Sequence, residues 1–112
     1  MRREGTDPNN VQMSDVLCDY CHASWTEDVP VIEGHHGSII CIKCLSVAYM
    51  EVLGDGSPID GGRCTMCLED REGPCWQSPA YPEAIICRRC IKLAAAAFKR
   101  DKQVDWVPPE IA

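Results

Sequence analysis

The sequence predicts a small metal-stabilised α+β fold made of one module written twice, each copy a cysteine knuckle, a β-hairpin and a C-terminal helix. Three observations carry this expectation. Eight of the nine cysteines in the 112-residue chain form four C-x2-C pairs, Cys18/Cys21, Cys41/Cys44, Cys64/Cys67 and Cys87/Cys90. The second two pairs repeat the first two at an offset of 46 residues, and nineteen residues separate the pairs within each half, a spacing suited to a structural zinc site. The repeat reaches beyond cysteine, since Ile39, Ile40 and Ala48 fall on Ile85, Ile86 and Ala94.

The pairing has a physical reason. Two thiolates two residues apart, in a tight turn or in the first turn of a helix, project to one side of the backbone and can share one tetrahedral cation. A second pair from across a hairpin closes the shell and leaves no position for water or substrate. Units of roughly 35 to 45 residues rarely fold on apolar burial alone. With one Phe, three Trp and three Tyr in the whole chain, neither unit can build a large aromatic core. Two zinc ions, one bound by Cys18, Cys21, Cys41 and Cys44 and the other by Cys64, Cys67, Cys87 and Cys90, would supply the missing folding energy.

Residues 1–13 are polar and turn-rich and are expected to be disordered. The first module, residues 14–53, opens with its knuckle at Cys18 and Cys21. Apolar runs at 29–32 and 38–40 flank Gly34-His35-His36-Gly37 and read as a hairpin. A helix follows over 41–53, with Leu45, Ala48, Tyr49 and Val52 at helical spacing and Gly54 as its stop. Thiolates in a first helical turn face unpaired N–H groups and the positive end of the dipole, which favours their ionised form. Residues 54–62, with four glycines and a proline, read as a flexible linker, and no Gly-Lys-Ser/Thr follows that would make a phosphate loop. The second module, residues 63–103, repeats the order with a hairpin around 78–82 and a helix from Cys87 to about Gln103. Its apolar face is Ile91, Ala94, Ala95 and Phe98, with Arg88, Lys92, Lys99 and Lys102 on other faces. The tail at 104–112, with Trp106 and Pro108-Pro109, reads equally as a strap or as an exposed motif.

The formal charge is −6, and each zinc held by four thiolates adds two negative charges. That argues against nucleic acid as a general partner. The balance is uneven, because Arg88, Arg89, Lys92, Lys99, Arg100 and Lys102 place six of the eleven basic residues in one short stretch, leaving a local basic face open. An odd cysteine count in matched C-x2-C pairs suits a reducing, cytoplasmic setting. Arg2-Arg3 lacks the apolar stretch of a twin-arginine signal, and the longest uncharged apolar run, 93–98, is too short to cross a membrane.

The residues CDYC, PVIEGHHGSIICIKCLSVAYM, RCTMC and AIICRRCIKLAAAA carry a resemblance. Each half looks like a treble-clef zinc finger and resembles the N-terminal zinc-binding domain of ClpX-type Clp unfoldases, over about residues 16–53 and 62–103. The resemblance implies a dimerisation and docking module that recruits proteins. The chain departs from it in carrying no Walker motif, in doubling the module, and in having His22 and Leu68 where many such knuckles carry glycine. Unfoldase activity is therefore not carried over. Because the halves share a pattern, and bulky Leu45, Tyr49 and Val52 can face the small surface at Ala94 to Ala97, the modules are expected to pack as a pseudo-twofold pair.

Cys75 aligns with Val29 at the repeat offset, so it is expected to be a small buried hydrophobe rather than a ligand or nucleophile. His22 is expected not to be a ligand, since four cysteines already complete the set. His35 and His36 should be exposed at the hairpin tip, and Trp25, Trp76 and Trp106 should be packing residues. No Ser-His-Asp or paired-carboxylate constellation stands out, so the expected function is non-catalytic. The chain would be a zinc-binding protein that binds another protein or a copy of itself, with no membrane or small-molecule substrate. Two alternatives stay open: nucleic-acid binding through the basic helix, and thiol redox or iron-based electron transfer.

Overall fold

The computed structural model describes residues 1–109, and residues 110–112 of the expected tail lie outside them. The first hairpin pairs β1 (Val31–Glu33) with β2 (Ile39–Cys41), antiparallel, with Val31 opposite Cys41. It leads directly into α1 (Ile42–Leu53). The second module has a three-stranded antiparallel sheet, β3 (Ile59–Arg63), β4 (Asp70–Gln77) and β5 (Ile85–Cys87), in that order, followed by α2 (Arg88–Arg100). Each helix begins just after a cysteine in extended conformation, Cys41 or Cys87, whose sulfur accepts the N–H three residues on. The sulfur thereby caps the helix in place of a serine or aspartate. The second helix ends at Arg100, short of the expected Gln103, because the Asp101 N–H already closes the last turn onto Ala97 and Phe98.

Three expectations change. The stretch at 54–62 is not all linker, since Ile59–Arg63 is a strand. Gly61, at φ +82°, sits where the register slips between Asp60 and Gly62, and a Cβ there would meet the Arg71 carbonyl at 3.0 Å. Those glycines serve a bulge rather than flexibility. Residues 1–13, expected to be disordered, begin as an added edge: Arg2 bridges Val16, the Arg3 N–H donates to the Asp15 carbonyl at 2.7 Å, and the Leu17 N–H donates to the Met1 carbonyl at 2.7 Å. Backbone groups on the open side of the first knuckle find partners this way. Finally, the repeat is not uniform. Cys75 lies opposite Cys87 as Val31 lies opposite Cys41, so its structural counterpart is Val31, two residues away from Val29. Two additional residues in the first module form a turn in which Thr26 and Val29 exchange backbone hydrogen bonds. The compensating pair lengthens the second hairpin loop, so β4 runs unbroken from knuckle to hairpin while the first module's strand is interrupted.

The modules share one core. Ile40, Leu45 and Ala48 join Ile86, Ile91, Ala94, Ala95 and Phe98 in a single buried cluster, and Tyr49 and Val52 pack on it. The packing is reciprocal. The carbonyl of Tyr20 in the first knuckle accepts the Ser78 hydroxyl at 2.6 Å, and the carbonyl of Met66 in the second knuckle accepts the His35 N–H at 2.8 Å. Each knuckle therefore docks on the opposite hairpin turn, as the expected pseudo-twofold pair requires. Gly34 permits one of these approaches, since a Cβ there would lie 2.6 Å from the Met66 carbonyl. The tail is a strap over the described residues: the Trp106 ring lies 6.1 Å from Tyr49 of α1 and 5.9 Å from Phe98 of α2, and its indole N–H donates to the Ser46 hydroxyl at 3.0 Å.

Candidate metal centres

The hairpin brings the two cysteine pairs of each module together. The sulfurs of Cys18, Cys21, Cys41 and Cys44 lie within 4.8 Å of one another, and so do those of Cys64, Cys67, Cys87 and Cys90. A tetrahedral ion with bonds near 2.3 Å holds its sulfurs about 3.8 Å apart. Cys21 and Cys41 are 3.7 Å apart and Cys67 and Cys87 are 4.0 Å apart, so both sets fit a cation and none of the nine thiols is in a disulfide. Four soft sulfurs suit zinc, and the same donor set suits iron.

Backbone donors surround both sets in matched fashion. The Cys18 sulfur accepts N–H groups from Tyr20 and Cys41, both at 3.3 Å, and the Cys64 sulfur accepts that of Cys87 at 3.4 Å. The helix-capping bonds from Cys44 to Cys41 and from Cys90 to Cys87 are each 3.5 Å. These contacts stabilise negative charge on sulfur and fix the ligand geometry. The Cys41 thiol is lowered to about 4 by hydrogen bonding from its partners, Cys18 first. Hydrogen bonding from Cys90 likewise lowers Cys64 to about 4. Cys44 and Cys90 are pushed far up, since their protons are engaged by the neighbouring sulfurs. In each set one thiolate is thus held by its neighbours' hydrogen bonds, a negative charge that a central cation would neutralise.

The knuckles are locked to the hairpins by a second matched pair. The Asp19 carboxylate accepts the Ile39 N–H at 2.6 Å, and the Thr65 hydroxyl accepts the Ile85 N–H at 3.1 Å. A polar residue directly after the first cysteine of each half was the available signal for this contact. The sets differ also in their side-chain surroundings: the Arg71 Nε donates to the Cys67 sulfur at 3.5 Å, while Cys21, the corresponding ligand, is exposed.

His22 and Leu68, where glycine is common, both adopt φ +61°. His22 holds that left-handed conformation with its ring stacked on Tyr81, centroids 3.5 Å apart, and neither it nor the exposed His35 and His36 joins a cysteine set. Cys75 is fully buried, outside both sets. Trp76 is buried against Tyr20, and Trp25 is half-buried.

Fold and site together define a metal-binding protein with two four-cysteine sites in tandem. Comparisons with protein-family models, with curated proteins and with solved structures give no significant match. No helix among the described residues is long and apolar enough to cross a membrane.

Proposed function

We propose that this chain is a non-catalytic zinc protein in which two treble-clef-like modules, fused into one body, present a docking surface to another protein. The observation that carries the reading is the pair of four-sulfur sets joined through one core. A shell filled by four thiolates offers no coordination position to a substrate, so the metal's contribution is folding energy and rigidity. The order of knuckle, hairpin and cysteine-opened helix supports the treble-clef reading, and the likeness to ClpX-type zinc-binding domains supports a docking role. The reciprocal contacts between modules support a fused counterpart of a dimer. Eight clustered thiols belong in a reducing compartment, and the cytoplasm fits.

Elemental analysis and visible spectra of reduced protein purified without added metal, together with retention on random DNA and RNA, test the proposal. It expects two zinc ions per chain, a colourless preparation and no salt-sensitive retention. A red preparation would favour iron-based electron transfer, and retention that falls with salt would favour nucleic-acid binding.

A further inference from the structure

An apolar groove of about 350 Å³ runs between the first hairpin and the second knuckle and helix. Ile32, Gly34, Met66, Leu93 and Ala94 line it, with Arg89 and Glu33 beside them. It reaches Cys67 and Cys90 of the second metal set. The hollow in the corresponding place across the pseudo-twofold, beside Val47, reaches neither its knuckle nor its cysteines. There, Tyr20 and Trp76 stand in the positions of Met66 and Ile32, and their rings pack 5.6 Å apart. A hollow thus lies on both sides, about 490 Å³ on the other, and what side-chain choice adds here is the reach to the knuckle and its cysteines. The groove's volume has room for roughly two large apolar side chains.

Arg89 lines the groove, and five more cations share its helix and the residues just after it. Arg88, Arg89, Lys92, Lys99, Arg100 and Lys102 are all exposed. Among the described residues the one ion pair joins the N-terminal ammonium to Asp19, so no Lys or Arg, these six included, has a carboxylate partner there. Scarcity of acids is not the reason, because the chain has 17 of them. Leu93, 53% exposed, lies one helical turn after Arg89 on the same face. An exposed leucine beside an apolar hollow and unpaired cations is complementary to an apolar side chain flanked by carboxylates. A nucleic acid fits less well: Ile32, Met66, Leu93 and Ala94 give the hollow aliphatic walls, and the one ring on its lining is the His35 imidazole, short of the row of platforms that successive bases need.

We propose that this groove docks an acidic peptide segment of a partner protein, with a leucine- or phenylalanine-sized anchor against Leu93 and Ala94 and carboxylates on Arg89 and Lys92. Glu33, on the hairpin side, confines the acidic residues to the helix side. The inference rests on the docking role proposed above and names the chemistry of the partner.

A random dodecapeptide library displayed on phage is selected on the zinc-loaded protein, and the most enriched sequence is synthesised and titrated by fluorescence anisotropy. Enriched peptides should be net acidic with one or two large apolar residues. Arg89→Glu and Leu93→Asp, both at exposed positions, should each weaken the selected peptide at least about tenfold while keeping the wild-type metal content. Raised salt should weaken it further. Failure to enrich, enrichment of neutral or basic peptides, or binding unchanged in both variants overturns the proposal. A dimer dispersed by Leu93→Asp would overturn it in favour of a second copy, and tighter binding of random DNA or RNA in favour of nucleic acid. Metal content is scored separately: two zincs without acidic-peptide binding removes this proposal alone, whereas fewer than two removes the reading beneath it.

Discussion

Replacing Tyr20 with alanine should destabilise both modules, not only the one that carries it. Tyr20 lies between two ligands of the first set, is 1% exposed, and packs its ring against Trp76 of β4. Its hydroxyl donates to the Ile85 carbonyl of β5 at 2.9 Å, and burial raises its phenol well above the usual range. Truncating a buried aromatic residue to alanine costs about 3–5 kcal/mol. Tyr20→Phe removes only the hydroxyl. The Ile85 carbonyl keeps the Thr65 N–H at 2.7 Å, so the loss should fall at the low end of about 0.5–1.5 kcal/mol. With a slope near 2 kcal/mol per molar urea, alanine should lower the unfolding midpoint by roughly 1.5–2.5 M and phenylalanine by less than about 0.75 M. Tryptophan fluorescence of zinc-loaded, reduced protein reads the midpoint, and amide exchange reads where the loss falls. Protection should drop in β4, β5 and α2 as well as in α1. Two unfolding steps, of which alanine moves only the first module's, would refute the shared core.

Cys75→Val should keep both metals and change stability by less than about 1.5 kcal/mol, since Val31 holds the equivalent place; metal loss on elemental analysis would make Cys75 a ligand. Arg71→Ala removes, among the described residues, the one side-chain donor to a ligand sulfur from outside the cysteine sets and should weaken the second site by about tenfold in competition with a chromophoric chelator, leaving the first unchanged. Trp106→Ala should unstrap the tail from α1 and α2 and cost about 2 kcal/mol, read from a denaturant midpoint; an unchanged midpoint would mean that the strap contributes nothing. Acidification should release both metals together with helical circular dichroism, because each ligand must be deprotonated to bind. Helical signal that persisted after metal loss would show that the core folds unaided.

Much of this architecture was readable in the sequence, because the strongest constraints were local. Cysteine spacing placed the sulfurs, periodicity placed the buried faces of both helices, and Gly34 to Gly37 placed a turn. The missing parts depended on non-local partners. Ile59 to Arg63 looks like a linker until β4 offers it a ladder, and two of its glycines then become a bulge. The shift of Cys75 from the place of Val29 to that of Val31 followed from a two-residue exchange between loops, invisible when cysteines alone set the alignment. The Arg71 contact and the Trp106 strap join residues whose sequence neighbours give no hint of their partners.

The central claim, two independent four-cysteine zinc shells in one chain, is tested most directly by native mass spectrometry of reduced protein purified without added metal, alongside Cys44→Ser and Cys90→Ser. The account predicts a mass increment of two zinc ions for the wild type, with each serine variant losing the ion of its own set. A wild-type chain carrying one ion or none, or iron in place of zinc, would contradict it.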